Sequence, residues 1–154
     1  MSFHIVLVEP EIPQNTGNIV RTCSVTGAKL HLVRPLGFEI NDTRLKRAGL
    51  DYWHEVDIDY HDSFFQLKEK YPDGRFFCVE TNARKYYTEP AYRENDFFVF
   101  GKETKGLAPE ILYAHQDTTI RIPMRPVSRS LNLSNCVAIV LYEGLKQIGF
   151  PGLV

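Results

Sequence analysis

The chain has 154 residues, 44% of them apolar and 24% charged, with 18 basic against 19 acidic side chains and a net charge of −1. Such a length makes one domain, 1–154, rather than two, able to hide roughly 70% of its unfolded surface without disulfides or metal. The composition excludes a disordered chain, and the longest apolar run, 136–142, is far short of the ~20 residues of a membrane span.

No basic stretch marks residues 1–4 as a secretory signal. Cys23, Cys78 and Cys136 stand more than fifty residues apart. That odd count fits reduced thiols in a cytoplasmic protein and excludes a zinc ribbon or a disulfide scaffold.

Residues 5–8, Ile-Val-Leu-Val, form a continuous apolar run, as in a parallel strand covered on both faces. Pro10 and Pro13 follow, then a helical pattern from Asn15 with Ile19, Val20, Cys23 and Thr26 on one side, ending at Gly27. Residues 30–33 read as the next strand, 42–47 as a short helix capped by Asp42, 56–60 as a weaker strand, and 63–71 as a helix stopped by Pro72. Strands at 76–80 and 97–100 are rich in aromatic and β-branched residues. A helix at 109–114 begins on a proline, and 120–122 is a strand that ends at Pro123. From 132 to 149, Leu133, Val137, Val140, Leu141, Gly144 and Ile148 form the stripe of a packed amphipathic helix. Alternating strands and helices predict an α/β domain with a mostly parallel sheet.

The near-zero charge argues against a polyanionic partner, yet its distribution is uneven. Residues 51–73 carry seven acids and two bases, residues 29–47 five bases and two acids, and residues 118–142 three arginines and no acid. A solvated surface accounts for this as readily as a binding face.

Several chemistries are excluded. Gly101 and Gly106 have the spacing of a phosphate-binding loop, but Leu107 and Ala108 stand where Lys and Ser or Thr are needed. G-x-G-x-x-G and G-x-S-x-G are absent. The five histidines have no metal-ligand spacing, so no metal is expected.

Three clusters remain. Residues 15–21, Asn-Thr-Gly-Asn-Ile-Val-Arg, follow a strand, where ligand sites of open α/β sheets collect. Asn15 suits an N-cap, Gly17 allows close backbone approach, and Arg21 lies about 9 Å further along the helix. A capped helix with a surface arginine is the plainer alternative. Residues 97–107 carry a buried strand onto a tight loop with Gly101, Glu103 and Gly106, or form an ordinary turn. Residues 120–124 and 128–135 gather Ser130, Asn132 and Ser134 with Arg121, Arg125 and Arg129 at a helix N-terminus. The hydroxyls and amides there could be competing caps. Three cations approaching the positive end of a helix dipole instead call for an anion.

Together these blocks resemble the SPOUT class of S-adenosylmethionine-dependent RNA methyltransferases. Its motifs N-x-G-x3-R, F-G-x-E-x2-G, and I-P-M followed by S-L-N-x-S-N occur here in order. Residues 9–18 and 45–52 resemble its short, single-domain TrmL-type branch, which 2′-O-methylates the wobble cytidine or uridine of leucine tRNAs. Lys102 is a mild departure, at a position that varies in the family.

The resemblance implies a Rossmann-like sheet with a C-terminal deep trefoil knot and a homodimer built on the last helix. It implies cofactor contacts from Val79, Gly101, Ile122, Ser130 and Leu131. Catalytic positions would be Asn15, Arg21, Glu103, Ser130 and Asn132, with Glu103 orienting Arg21 or facing the cofactor. Arg121, Arg125 and Arg129 would bind the tRNA. A non-catalytic knotted module that binds only cofactor or RNA is the alternative, and a small-molecule methyltransferase a third.

Overall fold

The computed structural model describes residues 2–127 and 130–154, the side chains of residues 49–51 aside. Its elements are β1 (His4–Val8), α1 (Pro13–Thr26), β2 (Lys29–Val33), α2 (Thr43–Gly49), a 3-10 helix (Leu50–Glu55), β3 (Ile58–His61) and α3 (Phe64–Lys70), followed by β4 (Phe76–Val79) and β5 (Lys85–Tyr86). After these come β6 (Phe97–Phe100), α4 (Pro109–Ala114), a 3-10 turn (Gln116–Thr118), β7 (Thr119–Arg121) and α5 (Leu133–Gln147). The seven strands form one sheet in the order β3-β2-β1-β6-β4-β7-β5, and the pairings are parallel.

Period-two alternation sends the side chains of each central strand to two faces. Ile5, Leu7, Leu30, Leu32, Phe98 and Phe100 pack with Ile19, Val20 and Cys23 of α1 and with Val137, Val140 and Leu141 of α5. Val6, Val8, Val33, Phe97 and Val99 face the other way, onto Phe64 and Leu67 of α3 and Ile111 of α4. Burial on both faces explains why these strands read as continuous apolar runs. Gly144 lets α5 approach: a Cβ there would stand 2.9 Å from Phe3 Cζ. Although β7 lies beyond β4 from β6, the α5 that follows it returns to pack on α1 and β6.

The parallel α/β architecture agrees with the sequence reading, and three local details differ. Helix α1 starts at Pro13, with Ile12 in the capping position and no side-chain cap, so Asn15 lies inside the first turn and is not the N-cap. Proline's fixed φ suits the first helical position, which moves the start two residues earlier. The weaker strand is Ile58–His61 rather than 56–60, and the strand end near 76–80 comes at Val79. The two-residue β5 and the 3-10 segment Leu50–Glu55 have no sequence periodicity to announce them. Of the competing caps before α5, Asn132 makes the bond, accepting from Ser134 N, and Ser63 caps α3 by accepting from Gln66 N. Among the described residues no helix is long and apolar enough to cross a membrane.

Candidate active site

In open parallel sheets, ligand sites form off the carboxyl ends of the strands. Here the ends of β4, β6 and β7 open into a cleft of about 520 Å³. Val79, Gly101 and Ile122 line it from the three strand ends, and Ser130, Leu131 and Asn132 from the approach to α5. Asn15 and Glu103 complete its rim. All five residues expected to hold a cofactor therefore meet in one place, with four of the five expected catalytic positions.

The loop after β6 is built from backbone. Gly106 N donates to Lys102 O at 2.9 Å, and Gly106 has φ +67°. A Cβ on Gly101 would lie 2.1 Å from the Gly106 carbonyl carbon, so no other residue fits that position without opening the loop. The result is a narrow turn that presents peptide groups to the cleft.

Glu103 clasps this loop to the start of α1. Its carboxylate accepts from Glu11 N (2.9 Å), Ile12 N (2.8 Å) and Asn15 Nδ2 (3.2 Å). It thus ties down, from a segment about ninety residues away, the two backbone amides just ahead of α1, where the helix dipole favours an anion. The expectation that Glu103 orients Arg21 is not met: its partners are Asn15 and two backbone amides, because the early start of α1 points those donors at the loop. Neighbouring contacts reinforce the clasp. Thr104 donates to Glu11 Oε1 from its amide (3.1 Å) and hydroxyl (2.7 Å), which holds the Glu11 carboxyl below its ordinary pKa. Lys102 Nζ reaches Glu9 Oε1 at 3.4 Å.

The arginines are placed differently. Arg21 does not line the cleft; it is exposed on α1 with its guanidinium 5.1 Å from the Tyr52 ring centroid, a cation–π contact. Six residues of helix turn it roughly 120° away from Asn15. Arg121 and Arg125 also lie outside the cleft lining. Arg121 is half-buried with an Nε that has no partner among the described residues, and Arg125 is exposed. Arg129 lies outside the described residues.

Sequence reasoning missed Glu80 and Cys136, both in the cleft wall. Glu80 follows the carboxyl end of β4, and that position was its available signal; its Oε1 accepts from the Thr81 amide and hydroxyl at 2.8 and 2.9 Å. Burial raises the Cys136 thiol, and its Sγ donates to Leu131 O at 3.8 Å, so it is a packing group rather than a nucleophile.

A separate polar chain crosses the face on which α3 packs. His4 Nδ1 and His31 Nε2 are 2.8 Å apart, and His31 Nδ1 and His61 Nε2 2.9 Å. Burial pushes His4 down to about 4 and His31 down to about 3. Donor atoms of His31, Asp59 and His61 lie within 4.8 Å of one another, a spacing that could hold a metal ion. The imidazoles are already paired with one another, and Asp59 with Lys29 at 3.0 Å. This chain is a hydrogen-bonded network away from the cleft, and its outer end, His61 Nδ1, is buried without a partner among the described residues.

The chain is similar to known proteins over nearly its whole length. A relative from Saccharophagus degradans, a tRNA (cytidine(34)-2′-O)-methyltransferase, is 49% identical over 154 residues, 97% of this chain and 98% of that one. A solved structure concerned with 2-OH methylation of C/U34 on tRNA superposes with a TM-score of 0.91 at 43% identity, covering 96% of both chains. The AdoMet-bound rRNA methyltransferase from Sinorhizobium meliloti shares the fold, with a TM-score of 0.85 at 21% identity over 96% of this chain and 57% of that one. The model of the SpoU rRNA Methylase family matches residues 2–142, and the chain belongs to that family.

Proposed function

We propose that this chain is an S-adenosylmethionine-dependent tRNA methyltransferase that modifies the ribose 2′-hydroxyl of the wobble nucleotide, position 34. Its finer specificity is cytidine or uridine in leucine tRNAs. The observation that carries the reading is the meeting of three separated sequence blocks at one backbone-built cleft. A near-half-identical, full-length tRNA (cytidine(34)-2′-O)-methyltransferase relative supports it.

The cleft fits the cofactor. Its volume falls within the range of small-molecule sites, Val79, Ile122 and Leu131 offer apolar wall, and the side-chain-free turn at Gly101 offers peptide groups. These residues and Ser130 would hold S-adenosylmethionine, which supplies an electrophilic methyl on a sulfonium centre. Glu80 stands where a carboxylate can accept from ribose hydroxyls.

The remaining demand is alignment of the incoming hydroxyl with that methyl. Glu103 holds Asn15 at the rim by a charge-assisted hydrogen bond. Asn132 caps α5 and so fixes the Ser130–Asn132 approach beside it. Arg21, whose guanidinium carries five N–H donors and no acceptor, can donate to a phosphate or a ribose oxygen but cannot accept the proton. It therefore clamps the RNA, and phosphate or water takes the proton. Catalysis through this set needs no metal.

The domain, 1–154, acts as a homodimer on α5, where Tyr142 is left exposed. Pairing sets a basic stretch of the partner beside each cleft and supplies RNA surface beyond that of one protomer. The chain after β7 threads a loop as a deep trefoil knot, a reading supported by the return of α5 to α1 and β6. The protein works in the cytoplasm on tRNA.

Incubation with labelled S-adenosylmethionine and unmodified tRNA, followed by nucleoside digestion, tests the reading. Label in 2′-O-methylcytidine or 2′-O-methyluridine from position 34 of leucine tRNAs is the expected result. Cofactor and tRNA binding without transfer would leave only a binding module.

A further inference from the structure

We infer that the outward face of α2, continued by Arg21 of α1, is the surface on which the RNA phosphate backbone lies as it enters the cleft. This deepens the proposed function and rests on it.

Helix α2 is amphipathic over its nearly two turns: Leu45 is fully buried, while Arg44, Lys46 and Arg47 are exposed. The three cations are not equivalent. Arg44 is spent on its own helix start, where Nε and Nη2 reach the two oxygens of Asp42 at 3.2 and 3.1 Å. Lys46 and Arg47 have no ion-pair partner among the described residues. Two cations held on a short helix without counter-charge repel each other, and a polyanion relieves that cost.

Position selects RNA as that polyanion. Helix α2 packs along α1, and the 3-10 segment after it places Tyr52 under the Arg21 guanidinium, so Arg21 belongs to the same face. The segment leading into α2 is tied to the cleft rim. Gly37 N donates to Pro10 O at 2.9 Å, and a Cβ on Gly37 would come 2.8 Å from Glu11 Cα, the residue that Glu103 and Thr104 hold. A phosphate chain resting on Lys46 and Arg47 therefore runs toward Arg21 and the rim, on the side of the molecule where a 2′-hydroxyl must enter. The pair reads charge and spacing, not base identity.

The test compares Lys46→Ala/Arg47→Ala with Lys70→Ala/Arg93→Ala, which removes the same charge from exposed positions around a different groove. Direct tRNA binding by fluorescence anisotropy is measured across salt, alongside methyl-transfer kinetics and cofactor affinity. The α2 variant should lose about tenfold in tRNA affinity or more, and its slope of log K against log salt should shrink by about 1.5. Its KM for tRNA should rise while kcat at saturating tRNA and S-adenosylmethionine affinity stay put, and the control should match wild type. Unchanged tRNA affinity, or an equal loss in the control, overturns the assignment of this face. Wild-type protein that binds tRNA through α2 but transfers no methyl would instead sink the proposed function and leave the surface standing.

Discussion

Two polar clusters in this molecule are built on opposite terms. At the cleft, Glu103, Thr104 and Lys102 clasp residues 9–15 at a rim open to solvent, with a charged carboxylate accepting from three donors. On the α3 side of the sheet, His4, His31 and His61 form a chain in which His31 is fully buried and His61 is 1% exposed. The open cluster keeps its charge because water and backbone amides share the solvation. The buried one persists by staying neutral, since a protonated imidazole there would lose its hydration, and the nearby Asp59 carboxylate is already paired with Lys29. One cluster therefore sets the geometry of the cleft rim, and the other ties stability to pH.

Mutation and pH should separate the two. The largest effect belongs to the cleft: Gly101→Ala forces a methyl into the Gly106 peptide. Cofactor affinity, read by calorimetry, should fall about a hundredfold or more, and a near-normal value would show that the turn can open freely. Arg21→Lys keeps the charge and loses the bidentate fork, so turnover should fall by orders of magnitude with cofactor affinity unchanged. Normal turnover would remove Arg21 from the chemistry.

Next comes acid. Both His4 and His31 bind protons more weakly in the fold than the ordinary 6.5, so the unfolded chain takes up more protons between that value and about 4 and 3. Their contribution is complete above pH 6.5 and declines as pH falls toward those values, by a few kcal/mol at pH 4. Chemical denaturation at pH 7 and pH 4.5 measures it. Replacing the chain's centre with His31→Leu should lower stability at pH 7 and flatten the pH dependence; an unaltered slope would place the acid sensitivity elsewhere.

Smaller again is Glu103→Gln, which turns one accepting oxygen into a donor facing N–H groups and should cost about 1–3 kcal/mol locally. Turnover should drop more than melting temperature, because the disturbed contacts lie at the rim and not in the core. Equal loss of both would make Glu103 a stabilising residue only. Last, Asn132→Ala removes the α5 cap and should cost about 1 kcal/mol, a shift of about 2–4 °C in melting temperature for a chain of this size.

Much of this architecture is legible from periodicity. The runs at β1, β2, β4 and β6 and the stripe of α5 announce two-faced burial, and their spacing announces a parallel sheet. Local chemistry was legible where a side chain serves its own neighbours, as Asn132 does. It misled at Asn15, because Pro13 starts α1 two residues earlier and the Asn15 side chain bonds Glu103, a carboxylate that no window of sequence around residue 15 contains. Residues His4, His31 and His61 likewise look scattered in the chain and become neighbours only when three parallel strands lie side by side.

By itself, then, the sequence determined the α/β layering, the ordered motif blocks and the inventory of groups available for chemistry, since these follow from residue type and near-neighbour spacing. Tertiary structure alone decided which of those groups meet. It brought Val79, Gly101, Ile122 and Ser130 to one cleft and turned Arg21 out onto Tyr52. It also left Lys46 and Arg47 without an ion-pair partner among the described residues while tying Arg44 to Asp42. The physical reason is that hydrogen bonds and ion pairs act over about 3 Å, and only the packing of distant segments sets which atoms come that close.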